Sequence, residues 1–86
     1  MDKHSKKIEK YSGSLKELAE DIGNLHYESL AEFLRHLSTK LDNDMNKDMA
    51  AGRVKLATEL EAAEFNIWAA SGRIQLAWLI SQPYMK

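Results

Sequence analysis

Phe65-Asn66-Ile67-Trp68-Ala69-Ala70-Ser71-Gly72-Arg73-Ile74-Gln75-Leu76-Ala77-Trp78-Leu79 contains a single charged side chain, Arg73, and no other charge follows before Lys86. At about 100° per residue the apolar positions of this stretch separate into two stripes. Ile67, Ala70, Ile74 and Ala77 lie on one side, and Phe65, Trp68, Leu76 and Leu79 on the other. Glu64, Ser71 and Gln75 fill one gap between them, Asn66 and Arg73 the other. A helix that is apolar on two faces has to bury both. A bilayer does not explain the pattern, because the polar interruptions leave it short of the roughly 20 apolar residues a span requires. The rest of so short a chain can cover one stripe. The other predicts a homodimer, with Phe65, Trp68, Leu76 and Leu79 as its contact and this helix at the centre of a bundle. The alternative is a compact monomer, its helix bent at Ser71 and Gly72 so that the end folds back over the second stripe.

Toward the N-terminus, Met49, Leu56, Leu60 and Ala63 continue the first stripe at heptad spacing, with Arg53 as a polar interruption. The long helix C is therefore expected over about 46–82, ending before Pro83, whose ring disfavours helical geometry at Gln82. Gly52 and Gly72 fall inside the pattern, each about 1 kcal/mol less favourable than Ala in a helix interior, and mark either a kink or a close approach of another backbone. Asp42, Asn43, Asp44, Asn46 and Asp48 crowd one segment with side chains that compete for local backbone groups, which places the interhelical turn there.

Before that turn, Tyr27, Leu30, Leu34, Leu37, Leu41 and Met45, with Phe33 beside them, form the stripe of a helix B over about 25–43. Leu15, Leu18, Ile22 and Leu25 form a shorter stripe rotated from it by roughly 100°. The register jumps at Gly23 and Asn24, read as a glycine capable of positive φ followed by an N-cap. Ser14-Leu15-Lys16-Glu17 matches a capping box, so helix A is expected over about 14–22. Helix B alone spans half of helix C, so A and B in series are expected to run antiparallel to it, B against its first half and A against its second.

The chain of 86 residues, 44% hydrophobic with four glycines and one proline, suits one all-α domain, residues 1–86, with residues 1–12 as a flexible basic tail. That tail holds Lys3, His4, Lys6, Lys7 and Lys10, and makes nucleic-acid binding an alternative function. The formal net charge of −1 gives no general attraction for phosphate backbones or acidic membranes. No cysteine is present, which excludes disulfides and thiolate chemistry. The first twenty residues lack the apolar stretch of a signal peptide, so a cytoplasmic protein is expected.

Catalytic patterns are incomplete. Asp42 to Asn46 begins like a calcium-binding loop, but Lys47 replaces its turn glycine and Arg53 its bidentate glutamate. Glu17 with Glu20 and Glu61 with Glu64 form E-x-x-E pairs like those with which all-helical nucleotide pyrophosphohydrolases hold Mg²⁺, yet no basic constellation for phosphates accompanies them. No histidine has a glutamate three residues before it, as a di-iron bundle needs. Glu32 and His36 read as an exposed i, i+4 pair. Neither a phosphate loop nor a nucleophile elbow is found. The expectation is a non-enzymatic, homo-oligomeric interaction module with no cofactor or metal and no membrane association.

Overall fold

The computed structural model describes residues 4–84, so residues 1–3 of the expected tail, with Met85 and Lys86, lie outside it. Among the described residues there are three α-helices and no strand: α1 (Leu15–Gly23), α2 (Tyr27–Ala50) and α3 (Val54–Ser81), followed by a 3₁₀ turn over Gln82–Tyr84. Only α2 and α3 pack extensively. The Cα trace measures 50 × 29 × 14 Å, and its radius of gyration of 15.5 Å exceeds the roughly 12 Å of a compact chain this long.

The turn between α2 and α3 lies beyond the Asp/Asn cluster, at Ala51-Gly52-Arg53. Gly52 has φ +83°, its N–H donates to the Met49 carbonyl at 3.0 Å, and the Arg53 N–H donates to that of Asp48 at 2.8 Å. This is a Schellman termination, with glycine in the left-handed conformation that a Cβ penalises. The Asp/Asn residues stay helical because each costs at most about 0.7 kcal/mol of propensity and their side chains find partners or solvent. Lys40 donates to both carboxylate oxygens of Asp44 at 2.7 Å, which lowers the Asp44 pKa. Asn43 and Asn46 face water. Asp48 is buried and accepts from Arg53 Nε at 2.8 Å, so the expected polar interruption of helix C is instead the residue that secures the turn.

Moving the turn changes the pairing. At about 1.5 Å per residue α2 extends about 36 Å and α3 about 42 Å, so α2 alone accompanies most of α3. The expected packing of helix A along the second half of helix C is not found: α3 packs against α2, and no α1 residue is fully buried, Leu18 and Ile22 being half-covered. Helix α3 runs without interruption through Ser71 and Gly72, which removes the folded-back alternative.

The seam between α2 and α3 follows a 3, 4 spacing. Ala31, Leu34, Ser38, Leu41, Met45 and Asp48 on one helix face Ala57, Leu60, Glu64, Ile67, Ser71, Ile74 and Trp78 on the other, and every one is buried or half-buried. Its most deeply buried members are small: Ala31 and Ala57 at 0% exposure, Ser38 at 2% and Ser71 at 3%. Ser38 Oγ donates to the main-chain carbonyl of Glu64 at 3.1 Å. In that register Ala31 is level with Ser71 and Met45 with Ala57. The expected stripe of helix B is thus corrected by about one position, from Leu30 and Leu37 to Ala31 and Ser38, because short side chains let the two backbones approach.

Helix α1 is held locally. Ser14 Oγ accepts from the Glu17 N–H at 3.1 Å, and the Glu17 carboxylate accepts from the Ser14 N–H at 2.7 Å, completing the capping box. The Tyr11 hydroxyl donates to Asp21 at 2.6 Å, and a Cβ at Gly13 would stand 2.8 Å from the Tyr11 ring. Asn24 caps the C-terminus of α1, and His26, not Asn24, occupies the N-cap of α2. Gly23 lies in the last turn of α1 and does not adopt positive φ.

Two outcomes follow. Gly52→Ala places a Cβ in the left-handed region, at a cost of about 1–2 kcal/mol, and should lower the melting temperature by roughly 5–15 °C in a calorimetric scan. The Glu17 pKa is lowered, chiefly by the backbone hydrogen bond from Ser14. Its contribution is complete above the ordinary glutamate pKa and is lost as pH falls through the lower folded value. Cα chemical shifts of 15–23 should move toward coil in that acid range while those of α2 and α3 remain helical. In Ser14→Ala the same residues should already be frayed at neutral pH.

Candidate association surface

Because α2 covers one side of α3, much of the apolar surface on the remainder of α3 stays open among the described residues. Phe65 is 64% exposed, Trp68 52%, Leu76 50% and Leu79 53%. Among them in mid-helix stands Gly72, where a Cβ would meet nothing within 4 Å. The first stripe of α3 divides: Ile67, Ile74 and Ala77 are half-buried beside α2, whereas Ala70 is exposed. Ser71, read from sequence as a residue of the gap, is in the seam, where its Oγ donates to the Trp68 carbonyl at 2.6 Å.

The two tryptophans have different surroundings. Trp78 is half-buried, with its ring centroid 4.2 Å from that of His26 at an interplanar angle of 59°, so the α1–α2 connection covers it. Trp68 borders an open depression of ≈ 290 Å³ lined also by Ser38, Thr39, Asp42 and Glu64. Ser38, Thr39 and Asp42 of α2 and Glu64 of α3 make its lining polar, and Trp68 is its one apolar wall. Leu37, expected in the stripe of helix B, and Phe33 beside it are exposed at 36% and 37%, as is Ile80, which the sequence did not single out, at 69%. The signal for Leu37 was available only through the seam, since it becomes exposed once Ser38 takes the central position.

The carboxylate pairs do not converge. Glu17 is engaged by its own cap. Glu64 offers its main-chain carbonyl to Ser38, and α1 does not pack against α3 to any extent comparable with α2. Among the described residues no group of three or more His, Asp or Glu side chains is disposed to hold a metal ion. Residues 42–50 are helical, which is incompatible with a calcium-binding loop. Glu32 and His36 lie 3.4 Å apart with side chains 64% and 76% exposed, an ion pair on open helix surface when the imidazole is protonated. No helix among the described residues is long and apolar enough to cross a membrane. Comparison with known protein families, with curated proteins and with solved structures found no match for this chain.

Proposed function

We propose that the chain is a self-associating helical module whose activity is assembly through the uncovered side of α3, with Phe65, Trp68, Leu76 and Leu79 as the principal contacts. The observation that carries this reading is the amount of surface left over. The chain exposes 6893 Å² at 9.8 kDa, against the roughly 5,200 Å² of a folded monomer of that mass. The surplus of about 1,700 Å² is twice the roughly 800 Å² that each partner contributes to an interface of standard size. Residues 4–14 and α1 account for part of it. The hairpin supplies much of the apolar part, as half-exposed aromatic and leucine side chains on one helix face, beside the exposed Ile8, Leu15 and Leu25 that precede it.

A second copy suits that face better than a small ligand does. The depression beside Trp68 is open, whereas ligand sites enclose most of their ligand. Aromatic anchors are enriched at the centre of a protein interface and charges at its rim; Arg73 is the single charge between Phe65 and Leu79, and Asp42 and Glu64 lie at the edge beside Trp68.

Sedimentation at tens of micromolar should show a dimer or a higher symmetric oligomer. Trp68→Glu and Leu76→Glu, which place charge in the contact, should shift it to monomer, weakening association at least a hundredfold on the scale of about 3 kcal/mol for an unpaired charge at a contact. Asn43→Glu, on the solvent side of α2, should leave it unchanged. A wild-type chain that sediments as a folded monomer at that concentration would refute the reading.

A further inference from the structure

Two copies of α3, we infer, meet antiparallel across a two-fold axis that passes at Gly72. This rests on the self-association proposed above and specifies its geometry. Phe65 and Leu79 lie seven residues before and after Gly72, and Trp68 and Leu76 four before and after. At about 100° per residue all four fall within roughly 40° of the direction in which Gly72 faces. The stripe is therefore symmetric about Gly72 in length and in angle. A two-fold contact requires self-complementarity of this kind, because residue i meets residue j while j meets i. An antiparallel copy crossing at Gly72 sets Phe65 level with Leu79 of the second copy and Trp68 level with Leu76, large ring against leucine at all four places.

Charge favours the same orientation. The N-terminal half of α3 holds Glu59, Glu61 and Glu64 against Lys55, while Arg73 is the sole charge of its C-terminal half. A parallel pair would bring Glu61 of each copy, which faces within roughly 20° of Gly72, alongside its counterpart and align the helix dipoles. The antiparallel pair separates the acids of the two copies, setting Glu64 level with Ile80 and Glu61 level with Pro83, and opposes the dipoles. Gly72 has no other explanation in the single chain. It is an interior helical glycine, the surroundings leave open space for a Cβ, and it does not adopt positive φ. On the axis its missing side chain allows the closest approach of the two backbones.

The chain has no cysteine, so introduced thiols report the geometry directly. Phe65→Cys and Leu79→Cys chains are treated with a short thiol-specific cross-linker separately and as a one-to-one mixture, and their dimer content is followed by sedimentation. The expected result is cross-linking in the mixture only, because identical positions in the antiparallel pair are about 21 Å apart along the helix. Cross-linking of either variant with itself would show a parallel pair and overturn the inference. A wild-type dimer with no cross-linking in any arm would place the contact on another surface, and also overturn it. A monomeric wild-type chain would instead remove the reading on which the inference rests. Gly72→Leu is the second variant. Leucine is the better helix former, so helicity should be retained or increased, while dimerisation should weaken at least tenfold. Unaltered dimerisation of Gly72→Leu would contradict an axis at this residue.

Discussion

The hydrogen bond from Ser38 Oγ to the Glu64 carbonyl expresses the constraint on which the rest of the hairpin depends. A hydroxyl two bonds from its own Cα reaches the main chain of the neighbouring helix only if the backbones run close together. Closeness requires short side chains along the seam, and Ala31, Ser38, Ala57 and Ser71 provide them, level with one another or with Glu64 and Met45. The larger apolar residues are displaced to either side. Leu37 and Phe33 on α2, and Phe65 and Trp68 on α3, are consequently left in contact with solvent. The tightness of the intrachain seam and the abundance of exposed apolar surface have the same cause.

Against that hairpin, α1 is a locally stabilised element. An isolated helix of nine residues is marginal in water, and none of its residues is buried. What holds it is the reciprocal pair between Ser14 and Glu17, with the Tyr11 hydroxyl reaching Asp21. Hydrogen-bond donation by the phenol to the Asp21 carboxylate holds the Tyr11 pKa above its ordinary value. The helix ends where His26 turns the chain over Trp78, so the connection, more than the helix, bears on α3.

The all-helical class, the capping box at Ser14, the break after Gly23 and the end of the long helix before Pro83 were legible in the sequence, because each depends on short-range chemistry. The interhelical turn was not. Five Asp and Asn residues outweighed a single Gly52 in a reading of local preferences, although helix propensity penalties are small and Lys40 and Arg53 offset two of the acids. Nor was the seam, since periodicity ranks positions by apolar size and assigns the centre to Leu30 and Leu37, whereas close approach selects Ala31 and Ser38. The stripe of Phe65, Trp68, Leu76 and Leu79 could be read because it is large, apolar and regular. Its symmetry about Gly72 acquires meaning only once α2 is seen to leave that side uncovered.

A seam built from alanine and serine has a calorimetric consequence. The heat capacity released when a chain folds is governed by apolar surface leaving water, roughly 12–15 cal/mol/K per residue in an ordinary domain. Among the described residues, closing this hairpin fully buries two alanines and only half-buries its leucines and isoleucines, so the single chain should show a smaller heat capacity change, and a shallower curve of stability against temperature, than an ordinary domain. The strongly curved, hydrophobic part of its thermodynamics is reserved for whatever event finally dehydrates the aromatic and leucine side chains that the seam turns outward.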